Sequence, residues 1–417
     1  MKTAPTMTSS AMNKFLLSVL SMVFLFGCQT RLPDESDWTG SMTLADDRKL
    51  PLRFHLDLNA DPPTGSFIVA DEHTLIPEIR ISGDSITILI SEYQAEMTGL
   101  WDGKEWTGHF LRYRRDTVRL AFSARPEPQS STGEAGEKPP AAVRLAGTFR
   151  VYYHDPDGID SSTVAKFWTR GDSVLGTFID PSGDHGLMAG VQRGDSAWLG
   201  RFIGWQANLI ELKLEEGLWK GKYYSRQFAP EIFTLVPRPS LPTKISDGRR
   251  TRMKEPRKPF RFEGISVNGD TIQSTNSMFS GKAVIVDIMG TWCHNCLDEA
   301  PLLQQLYEEF NPQGLEIIGL SFEVTDDPEL GRKNLAIYKK RHGITFPLLY
   351  AGNLDQNNVE TRIRSQIEDF FAYPTTLFID RMGRVRDIHW GFKGPGTGDG
   401  YQQEIELFYE LARELVH

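Results

Sequence analysis

The stretch Gly281-Lys-Ala-Val-Ile-Val-Asp-Ile-Met-Gly290, with the Thr291-Trp-Cys-His-Asn-Cys296 that follows it, decides the fold of the C-terminal part of this chain. The first stretch is almost continuously apolar, which is typical of a strand buried on both faces of a sheet. Beyond it, apolar residues recur at helical spacing, which predicts a helix from about Cys293 to Phe310. The two cysteines therefore lie at a junction between a buried strand and a helix.

The chain after Phe260 repeats this alternation of strand and helix. Further strands are predicted at Leu315–Phe322, Thr345–Tyr350, Thr375–Asp380 and Val385–His389, and further helices at Leu330–Arg341 and Tyr401–Val416. Strands that alternate with helices form a central sheet covered on both faces. We therefore predict an α/β domain with a central sheet flanked by helices over residues 258–417.

The pair Cys293 and Cys296 has the position and spacing that disulfide exchange requires. At the start of a helix, unpaired backbone N–H groups and the positive end of the helix dipole stabilise a thiolate, which is the attacking species. A spacing of three residues brings the second sulfur within bonding reach of the first. Cys296 can therefore resolve a mixed disulfide formed on Cys293.

Two other uses of such a pair fit the sequence poorly. A closed structural zinc site needs four ligands, and the chain has no second pair of cysteines. A c-type haem needs a histidine directly after the second cysteine, where this chain has Leu297. We therefore expect neither a metal nor another cofactor.

The segment from about Phe260 to His417 resembles the thioredoxin superfamily, and most closely the TlpA- and ResA-like disulfide reductases of its exported branch. The redox motif of the superfamily matches Trp292-Cys-His-Asn-Cys296. Asp287 falls where thioredoxins carry a buried acid. The resemblance implies a thioredoxin-like fold for this domain and a redox disulfide between Cys293 and Cys296.

Two further matches lie after the motif. Glu299-Ala-Pro301 fits the Cys-x-x-Glu-x-Pro pattern of the exported branch, and Tyr373-Pro-Thr-Thr376 fits the loop whose proline is cis and faces the disulfide in this superfamily. The chain departs from the branch at Asn295, where proline is common, and at Asp287, where exported members often have a neutral residue. Because the residues between the cysteines tune the reduction potential, the direction of electron flow does not carry over from the family.

The ionisable residues around the pair are candidates for proton transfer, each with an alternative. An unpaired charge on Asp287 is costly in an apolar strand, so its pKa should rise and it can accept the proton of Cys296; otherwise it makes a structural polar contact. Glu299 either shares this proton relay or forms a salt bridge on the helix surface. His294 either stabilises the Cys293 thiolate when protonated or is an exposed spacer.

Trp292 and the Tyr373–Pro374 pair are predicted to form the substrate side of the site. Trp292 is expected to pack beside the disulfide as a wall of the site. A cis Pro374 places no N–H close to the sulfurs and leaves the Tyr373 backbone available to pair with an extended substrate segment. The alternative is a trans proline that begins a strand.

The N-terminus has the features of a bacterial lipoprotein signal. A basic residue precedes the apolar run Phe15–Phe26, which is too short to span a bilayer comfortably. The run ends in Leu25-Phe-Gly-Cys28, which resembles the lipobox, although its phenylalanine departs from the small or β-branched residue usual there. We predict a signal peptide over 1–27, lipidation of Cys28 and a tether over 28–37. An uncleaved anchor or an ordinary secretory peptide is the alternative.

The next two hundred or so residues have short alternating stretches separated by Gly, Asp and Pro, which is typical of antiparallel strands. Four motifs recur in the same order roughly 110 residues later, which indicates two tandem units. They are Thr39-Gly-Ser-Met-Thr43 with Ala146-Gly-Thr-Phe-Arg150, Thr64-Gly-Ser-Phe-Ile68 with Leu175-Gly-Thr-Phe-Ile179, Gly83-Asp-Ser85 with Gly194-Asp-Ser196, and Trp106-Thr-Gly-His-Phe110 with Trp219-Lys-Gly-Lys-Tyr223. We predict all-β antiparallel repeats at 38–126 and 145–237, and so a multidomain protein.

Two linkers are predicted to separate these units. Residues 127–144 are rich in Pro, Gly, Ser and Glu, a composition that cannot bury enough apolar surface to order itself. Residues 238–257 are basic and contain proline. This second linker either touches anionic lipid headgroups or acts as a solvated spacer.

Composition narrows the classes of function. A chain of 417 residues, 40% of them hydrophobic, is long enough for more than one core. A formal net charge of -9, with no basic stripe in either large block, disfavours a nucleic-acid partner. Three cysteines are too few for a disulfide-stapled scaffold.

Together these features predict a thiol-disulfide oxidoreductase of the cell envelope, lipid-anchored and facing the periplasm, that reduces disulfides of exported proteins through Cys293. The resemblance implies an electron donor of the DsbD kind, a membrane thiol carrier, and apocytochrome c maturation as one substrate class. The alternative is a binding lipoprotein whose β repeats carry the main function beside an ancillary redox domain. Its tryptophans either line a ligand surface or fill the cores. These are Trp101, Trp106, Trp168, Trp198, Trp205 and Trp219.

Overall fold

The computed structural model describes residues 31–113, 117–127, 143–155, 158–160, 162–205, 207–240 and 250–417. The predicted signal peptide, Cys28 and most of the predicted linker at 127–144 lie outside these residues. Among the residues described, no helix is both long and apolar enough to cross a membrane.

The first part of the chain forms an antiparallel sheet, which we call the open sheet. Its strands are β1 (Ser36–Thr43), β2 (Lys49–Asp57), β3 (Thr64–Val69), β4 (Glu72–Leu75), β5 (Glu78–Ser82), β6 (Ser85–Ile90), β7 (Ala95–Trp101), β8 (Trp106–Tyr113) and β9 (Thr117–Pro126). They pair in the order β4-β3-β2-β1-β9-β8-β7-β6-β5, so β4 and β5 are its edges. Alternate residues of β2 and β6 are buried, as expected for strands with one solvated face.

The second part forms another antiparallel sheet, which we call the ring sheet. Its strands are β10 (Gly147–Asp155), β11 (Gly158–Asp160), β12 (Val164–Arg170), β13 (Ser173–Asp180), β14 (Gly183–Asp184), β15 (Met188–Arg193), β16 (Ser196–Phe202), β17 (Ala207–Glu215), β18 (Leu218–Ser225) and β19 (Glu231–Arg238). β10 pairs with both β12 and β19, so the strands close on themselves. Phe178 fills the interior and contacts the rings of Phe167, Tyr223 and Phe233.

Side chains of the ring sheet pack into the core of the open sheet. The ring of Phe202 in the ring sheet lies 5.3 Å from that of Phe67 and 5.2 Å from that of Phe110, both in the open sheet. Trp101 and Trp106 are buried in the core of the open sheet and Trp219 in the core of the ring sheet. These three side chains fill cores and do not line a ligand surface.

The recurring sequence motifs lie on strands at comparable places in the two sheets. Trp106 begins the motif on β8, and Trp219 begins its counterpart on β18. Gly83 and Gly194, both with positive φ, occupy tight turns that precede β6 and β16. The all-β character of residues 38–237 is confirmed, whereas a tandem-repeat relation between the sheets stays a prediction.

The C-terminal part is an α/β domain. Its strands are β20 (Arg252–Met253), β21 (Glu263–Ser266), β22 (Thr271–Gln273), β23 (Ala283–Met289), β24 (Leu315–Glu323), β25 (Leu348–Asn353), β26 (Ile367–Glu368), β27 (Thr375–Ile379) and β28 (Val385–Trp390). Its helices are α1 (His294–Phe310), α2 (Pro328–Arg341), α3 (Gln356–Val359) and α4 (Asp399–Val416). The central sheet has the order β22-β21-β25-β24-β23-β27-β28, with β23, β24 and β25 parallel.

The two faces of this central sheet are covered differently. Helices α1, α2 and α4 pack on one face, in the core that contains both cysteines. The other face is covered by α3 and the segment with Phe260, Phe262 and Phe279. The prediction of a covered central sheet is confirmed, but long helices cover one face only.

Two boundaries differ from those predicted. Residues 252–253 pair with β26, and Met253 is buried, so part of the predicted linker at 238–257 is an edge of the C-terminal domain. The strand predicted from Thr345 begins at Leu348. Pro347 has no N–H to donate to the ladder, and the Thr345 N–H is bonded to the Gln304 side chain instead.

Candidate functional site

The two cysteines of the predicted redox pair form a disulfide at the start of α1. Cys293 is the N-cap residue of the helix, and the Cys296 N–H donates to its Sγ at 3.2 Å. Their Cα atoms are 5.2 Å apart. Cys296 is fully buried, and Cys293 is only 4% exposed. In this oxidised state neither sulfur is open to solvent, and residues of the β region share a cavity with Cys293.

Two carboxyl groups lie on the inner side of the disulfide, and we call Asp287 and Glu299 the inner pair. Asp287 lies on the same face of β23 as Ile285 and Met289, which share a core with the cysteines. Glu299 Oε1 accepts a 2.6 Å hydrogen bond from the Thr376 hydroxyl, and Thr376 is also the ladder partner of Asp287. The fold thus brings both predicted acids together behind the cysteines.

The inner pair holds its protons unusually tightly. Burial raises the pKa of Asp287 to about 8. Burial, with the nearby Asp287 carboxylate, raises the pKa of Glu299 well above its usual range. Glu299 has no exposed surface, so the alternative of a salt bridge on the helix surface is excluded. Asp287 can therefore store and return a proton close to the pH at which thiols ionise, with Glu299 as a second buried acid beside it.

Further hydrogen bonds fix the loop before the cysteines. The Glu323 carboxylate accepts from the Thr291 N–H at 3.0 Å and from the Thr291 hydroxyl at 2.7 Å. The Trp292 indole N–H donates to the Phe322 carbonyl at 2.8 Å. The Tyr338 hydroxyl donates to the Cys296 carbonyl at 2.8 Å, although a carbonyl in the first turn of a helix is normally satisfied within it. These hydrogen bonds therefore fix the position of the redox pair.

The predicted substrate side has the expected arrangement. The Tyr373–Pro374 peptide is cis. The Tyr373 ring meets the Trp292 ring edge to face, with centroids 5.2 Å apart. Trp292, Cys293 and Tyr373 line the same cavity, so the tryptophan is a wall of the site.

Five polar residues gather on the outer side of the disulfide, and four of them were not predicted as site residues. We call them the outer cluster: Glu72, Asp184, Arg201, His294 and Asp298. Arg201 of the ring sheet forms a bidentate ion pair with Glu72 of the open sheet, at 2.8 and 3.0 Å. The same guanidinium lies 3.4 Å from His294 Nδ1, and His294 Nε2 lies 3.3 Å from Asp298 Oδ2. Three domains therefore meet at the residue next to Cys293.

The charges of the outer cluster follow from burial and from Arg201. Burial, together with Arg201, lowers the pKa of His294 to about 3. Burial opposes ionisation of Glu72 as well, but Arg201 outweighs it and lowers the pKa of Glu72. Burial raises the pKa of Asp184 and raises that of Asp298 well above the usual range. In this oxidised state the neutral form of His294 is therefore favoured, and because the side chain is buried, the alternative of an exposed spacer is wrong.

A turn of the ring sheet lies directly on the redox site, and we call Asp180–His185 the covering hairpin. The Asn295 amide donates to the Ser182 carbonyl at 3.3 Å, and the Gly394 N–H donates to Asp184 Oδ1 at 2.7 Å. A Cβ at Gly183, whose φ is +129°, would lie 2.0 Å from Asn295 Nδ2. Glycine at 183 is therefore required for this close approach.

Two other contacts attach the β region to the C-terminal domain. Glu92 beside the open sheet accepts a 2.7 Å hydrogen bond from Arg341 at the end of α2, and both side chains are buried. The Lys166 ammonium donates to the Thr397 carbonyl at 3.0 Å. Buried ion pairs of this kind are costly to break from one side, because the remaining charge stays without a partner.

A cavity of about 450 Å³ remains between the ring sheet and the redox motif. We call it the redox cavity. On one side it is lined by Asp180, Ser182, Asp184, His185, Arg201, Ile203, Trp205, Tyr223, Ser225 and Glu231, and on the other by Trp292, Cys293, His294, Asn295, Phe371, Ala372 and Tyr373. Glu231 is exposed and lies at its rim.

Three side chains of the outer cluster could in principle bind a metal ion. The ligand atoms of Asp184, His294 and Asp298 all lie within 4.8 Å of one another. The Arg201 guanidinium is adjacent, and a second positive charge beside it is unfavourable. We therefore assign no metal to this group.

Sequence reasoning missed the ring-sheet contribution to the site. Arg201 lies 93 residues from His294 and 129 residues from Glu72 along the chain, so no local pattern connects them. Asp298, four residues after His294, is the one member with a helical spacing that could have signalled it.

Comparisons with known proteins agree with this geometry. Residues 258–388 match the AhpC/TSA family. The chain is 32% identical over 139 residues to the thiol-disulfide oxidoreductase ResA of Geobacillus kaustophilus, which covers 32% of this chain and 65% of the relative. It is 30% identical over 133 residues to ResA of Geobacillus thermodenitrificans, covering 31% of this chain and 64% of the relative. The chain thus spans less than two thirds of the length of these relatives.

Solved structures with related folds include two thiol-disulfide proteins. A thiol:disulfide interchange protein of Chlorobium tepidum is 22% identical, with a TM-score of 0.29, over 38% of this chain and 98% of that chain. A thiol-disulfide isomerase of Corynebacterium glutamicum is 18% identical, with a TM-score of 0.31, over 38% of this chain and 96% of that chain. The C-terminal domain of this chain is thus similar to AhpC/TSA-family domains and to ResA proteins, in agreement with the resemblance seen in its sequence.

Proposed function

We propose that this protein is a thiol-disulfide oxidoreductase that acts as a reductase of disulfides in exported proteins. The observation that carries the proposal is the position of the cysteine pair between two differently charged surroundings. Cys293 caps α1 and shares the redox cavity with Tyr373 of the cis Tyr373–Pro374 peptide, and Cys296 is buried on the side of the inner pair. The names of the ResA relatives support the same activity.

The proposed reaction has two exchange steps. The Cys293 thiolate, stabilised by the N-terminus of α1, attacks the substrate disulfide and forms a mixed disulfide. The proton of the Cys296 thiol passes to the inner pair, and the Cys296 thiolate then attacks Cys293 Sγ and releases the reduced substrate. Asp287 has a raised pKa of about 8, close to that of an ordinary thiol at about 8.5, so the proton transfer is nearly balanced.

Substitution of the cysteines tests this assignment. Cys293→Ser should lower disulfide reduction by at least about a thousandfold, since removal of an attacking group eliminates the reaction path. Cys296→Ser should retain attack and accumulate mixed disulfides, which non-reducing electrophoresis with mass spectrometry detects. If the two single variants trap substrate equally, the roles assigned to the two thiols are wrong.

The cell-envelope location and the partners belong to the same proposal. The lipobox-like Leu25–Cys28 supports a lipid anchor, with the redox domain facing the periplasm. A membrane thiol carrier of the DsbD kind would supply the electrons, and apocytochrome c is one candidate substrate. Cys28→Ala should release the protein from membranes without changing its disulfide exchange. A membrane-bound variant that retains the intact hydrophobic N-terminus would contradict the lipid anchor.

A further inference from the structure

We infer that the ring sheet is the outer wall of the substrate compartment, so that Cys293 exchanges disulfides carried on short, extended segments and not on folded surfaces. This inference rests on the proposed disulfide-exchange function and adds its substrate class. It depends on contacts that the C-terminal domain makes with the β region.

The enclosure of Cys293 is the first observation. A thiol that attacks a folded protein must be presented on an open surface, because specific protein interfaces cover about 800 Å² on each partner. Cys293 is only 4% exposed. The ring sheet lies over it through the covering hairpin, whose backbone touches Asn295 between the two cysteines. A flat protein surface cannot reach the sulfur in this arrangement.

The space left over Cys293 is the second observation. The redox cavity measures about 450 Å³, within the range of roughly 300–1,000 Å³ that is usual for clefts that bind small ligands. Such a volume accommodates a few residues around a disulfide. Trp205 and Tyr223 of the ring sheet face Trp292 and Tyr373 across it. Aromatic walls suit an extended segment whose side chains and backbone pack between them.

The attachment of the β region is the third observation. The Arg341–Glu92 pair is buried, the Asp184 N–H of the covering hairpin donates to the Phe392 carbonyl, and the Gly394 N–H donates to the Asp184 carboxylate. Separation of the domains would break all of these contacts. The compartment is therefore a built part of the molecule in the oxidised state described.

The bonds and electrons of the proposed disulfide exchange balance within this compartment. The Cys293 thiolate forms a bond to one sulfur of the substrate disulfide, the substrate S–S bond breaks and the first substrate thiolate leaves. The Cys296 thiolate, after its proton has passed to Asp287, forms the Cys293–Cys296 disulfide and expels the second substrate thiolate. Two electrons have then passed from the cysteine pair to the substrate. A dithiol reductant restores the pair by the reverse exchange, and a protein donor must likewise present its thiols on an extended segment.

Paired substrates test the size limit on the full chain. One disulfide-containing protein is offered in its folded form and as a destabilised variant that is unfolded but keeps the same disulfide. A cystine peptide with the same flanking residues is the third substrate. Each rate is divided by the rate with dithiothreitol, which removes differences in intrinsic reactivity. We expect the normalised rate to be at least about tenfold higher for the unfolded protein and for the peptide than for the folded form.

The outcomes separate the two proposals. Equal normalised rates for folded and unfolded substrates would overturn the inference and leave disulfide exchange intact. No exchange with any of the three would overturn the proposed function itself. A fast reaction of the peptide alone would restrict the compartment to free low-molecular-weight disulfides and would contradict access by unfolded protein segments.

A second test examines the wall. Trp205→Ala enlarges the compartment from the ring-sheet side, and we expect KM for the cystine peptide to change at least about threefold. Trp198→Ala removes a tryptophan of the same sheet that is 39% exposed and outside the cavity, and it should change neither this KM nor the rate with a minimal disulfide such as cystamine. Trp205→Phe covers the case in which the alanine variant fails to fold. Identical KM values in folded Trp205 variants and wild type would contradict the role of the ring sheet as a wall of the substrate compartment.

Discussion

The inner and outer sides of the same disulfide differ in where their polar groups come from and in how they are charged. The inner pair comes from one domain, through β23 and α1, and burial raises the pKa of both acids. The outer cluster is assembled from three domains and contains a buried ion pair between Arg201 and Glu72. Both sides contain buried acids whose pKa values are raised, but only the outer side also holds a fixed ion pair, so the two sulfurs have different surroundings even though they are bonded to each other.

The largest effect on the rate of disulfide exchange is expected from substitutions in the inner pair. Asp287→Asn should slow release of the mixed disulfide by about tenfold to a hundredfold near neutral pH, because Cys296 loses its proton acceptor, and should change the initial attack by Cys293 much less. Glu299→Gln should act in the same direction if it shares the relay. Stopped-flow measurement of both steps against pH checks this. The loss should shrink above about pH 8.5, where a thiol ionises unaided.

A matched control is available for this kinetic prediction. Glu316 is also a buried acid of the same sheet, but it is paired with Lys282 at the far end of β24. Glu316→Gln should leave both steps unchanged. If Asp287→Asn leaves the second step unchanged at every pH, the proton-acceptor role is wrong and the alternative of a structural polar contact holds.

The two sides also differ in what the sequence could predict. Asp287 and Glu299 were found because they lie at fixed offsets from the cysteines, on a strand and a helix whose periodicity is visible. Arg201 and Glu72 have no such offset, since their place depends on how the β sheets pack against the C-terminal domain. A lone arginine in an alternating strand predicts only a solvated face. The domain fold was therefore predictable from local pattern, whereas the covered state of Cys293 was not.

The pH dependence of the unfolding free energy should also reveal the raised pKa on the inner side of the disulfide. The pKa of Asp287 is about 8 in the folded protein and about 4 in an unfolded chain. Between about pH 4 and 8 the folded state binds more protons than the unfolded state. The contribution of Asp287 to the unfolding free energy is therefore fully present below about pH 4 and is lost as the pH rises toward about 8. Asp287→Asn removes this loss. Relative to wild type, the variant should therefore gain roughly 3 kcal/mol in unfolding free energy between about pH 5 and 7.

Chemical denaturation at several pH values measures this difference. The disulfide is kept oxidised throughout, so that redox state does not change with pH. Glu316→Gln again serves as the control, because its carboxylate is paired with Lys282 and its removal should not reproduce the pH-dependent gain. A difference between Asp287→Asn and wild type that is constant across the whole range would show that Asp287 ionises normally.

The smallest expected effect concerns the fixed charge of the outer side. Reduction of the disulfide creates a thiolate at Cys293, and a nearby cation stabilises that anion more than it stabilises the neutral disulfide. Arg201→Met removes the cation and leaves the Glu72 carboxylate behind, so the reduced form is disfavoured. The reduction potential should fall by about 10–30 mV, where 30 mV corresponds to about 1.4 kcal/mol for two electrons.

Charge and packing can be separated at this position because the ion pair has two members. If charge acts, the double variant Arg201→Met, Glu72→Gln should recover part of the fall, since it removes both charges, and Glu72→Gln alone should raise the potential. Arg341→Met breaks a buried arginine–glutamate pair of the same kind at the other domain contact, and it controls for loosening of the β region. Equilibration with dithiothreitol redox buffers gives the reduction potentials of these four variants, which are compared with that of wild type. If Arg201→Met and Arg341→Met lower the potential equally, the outer cluster acts by holding the domains together and its charge does not tune Cys293.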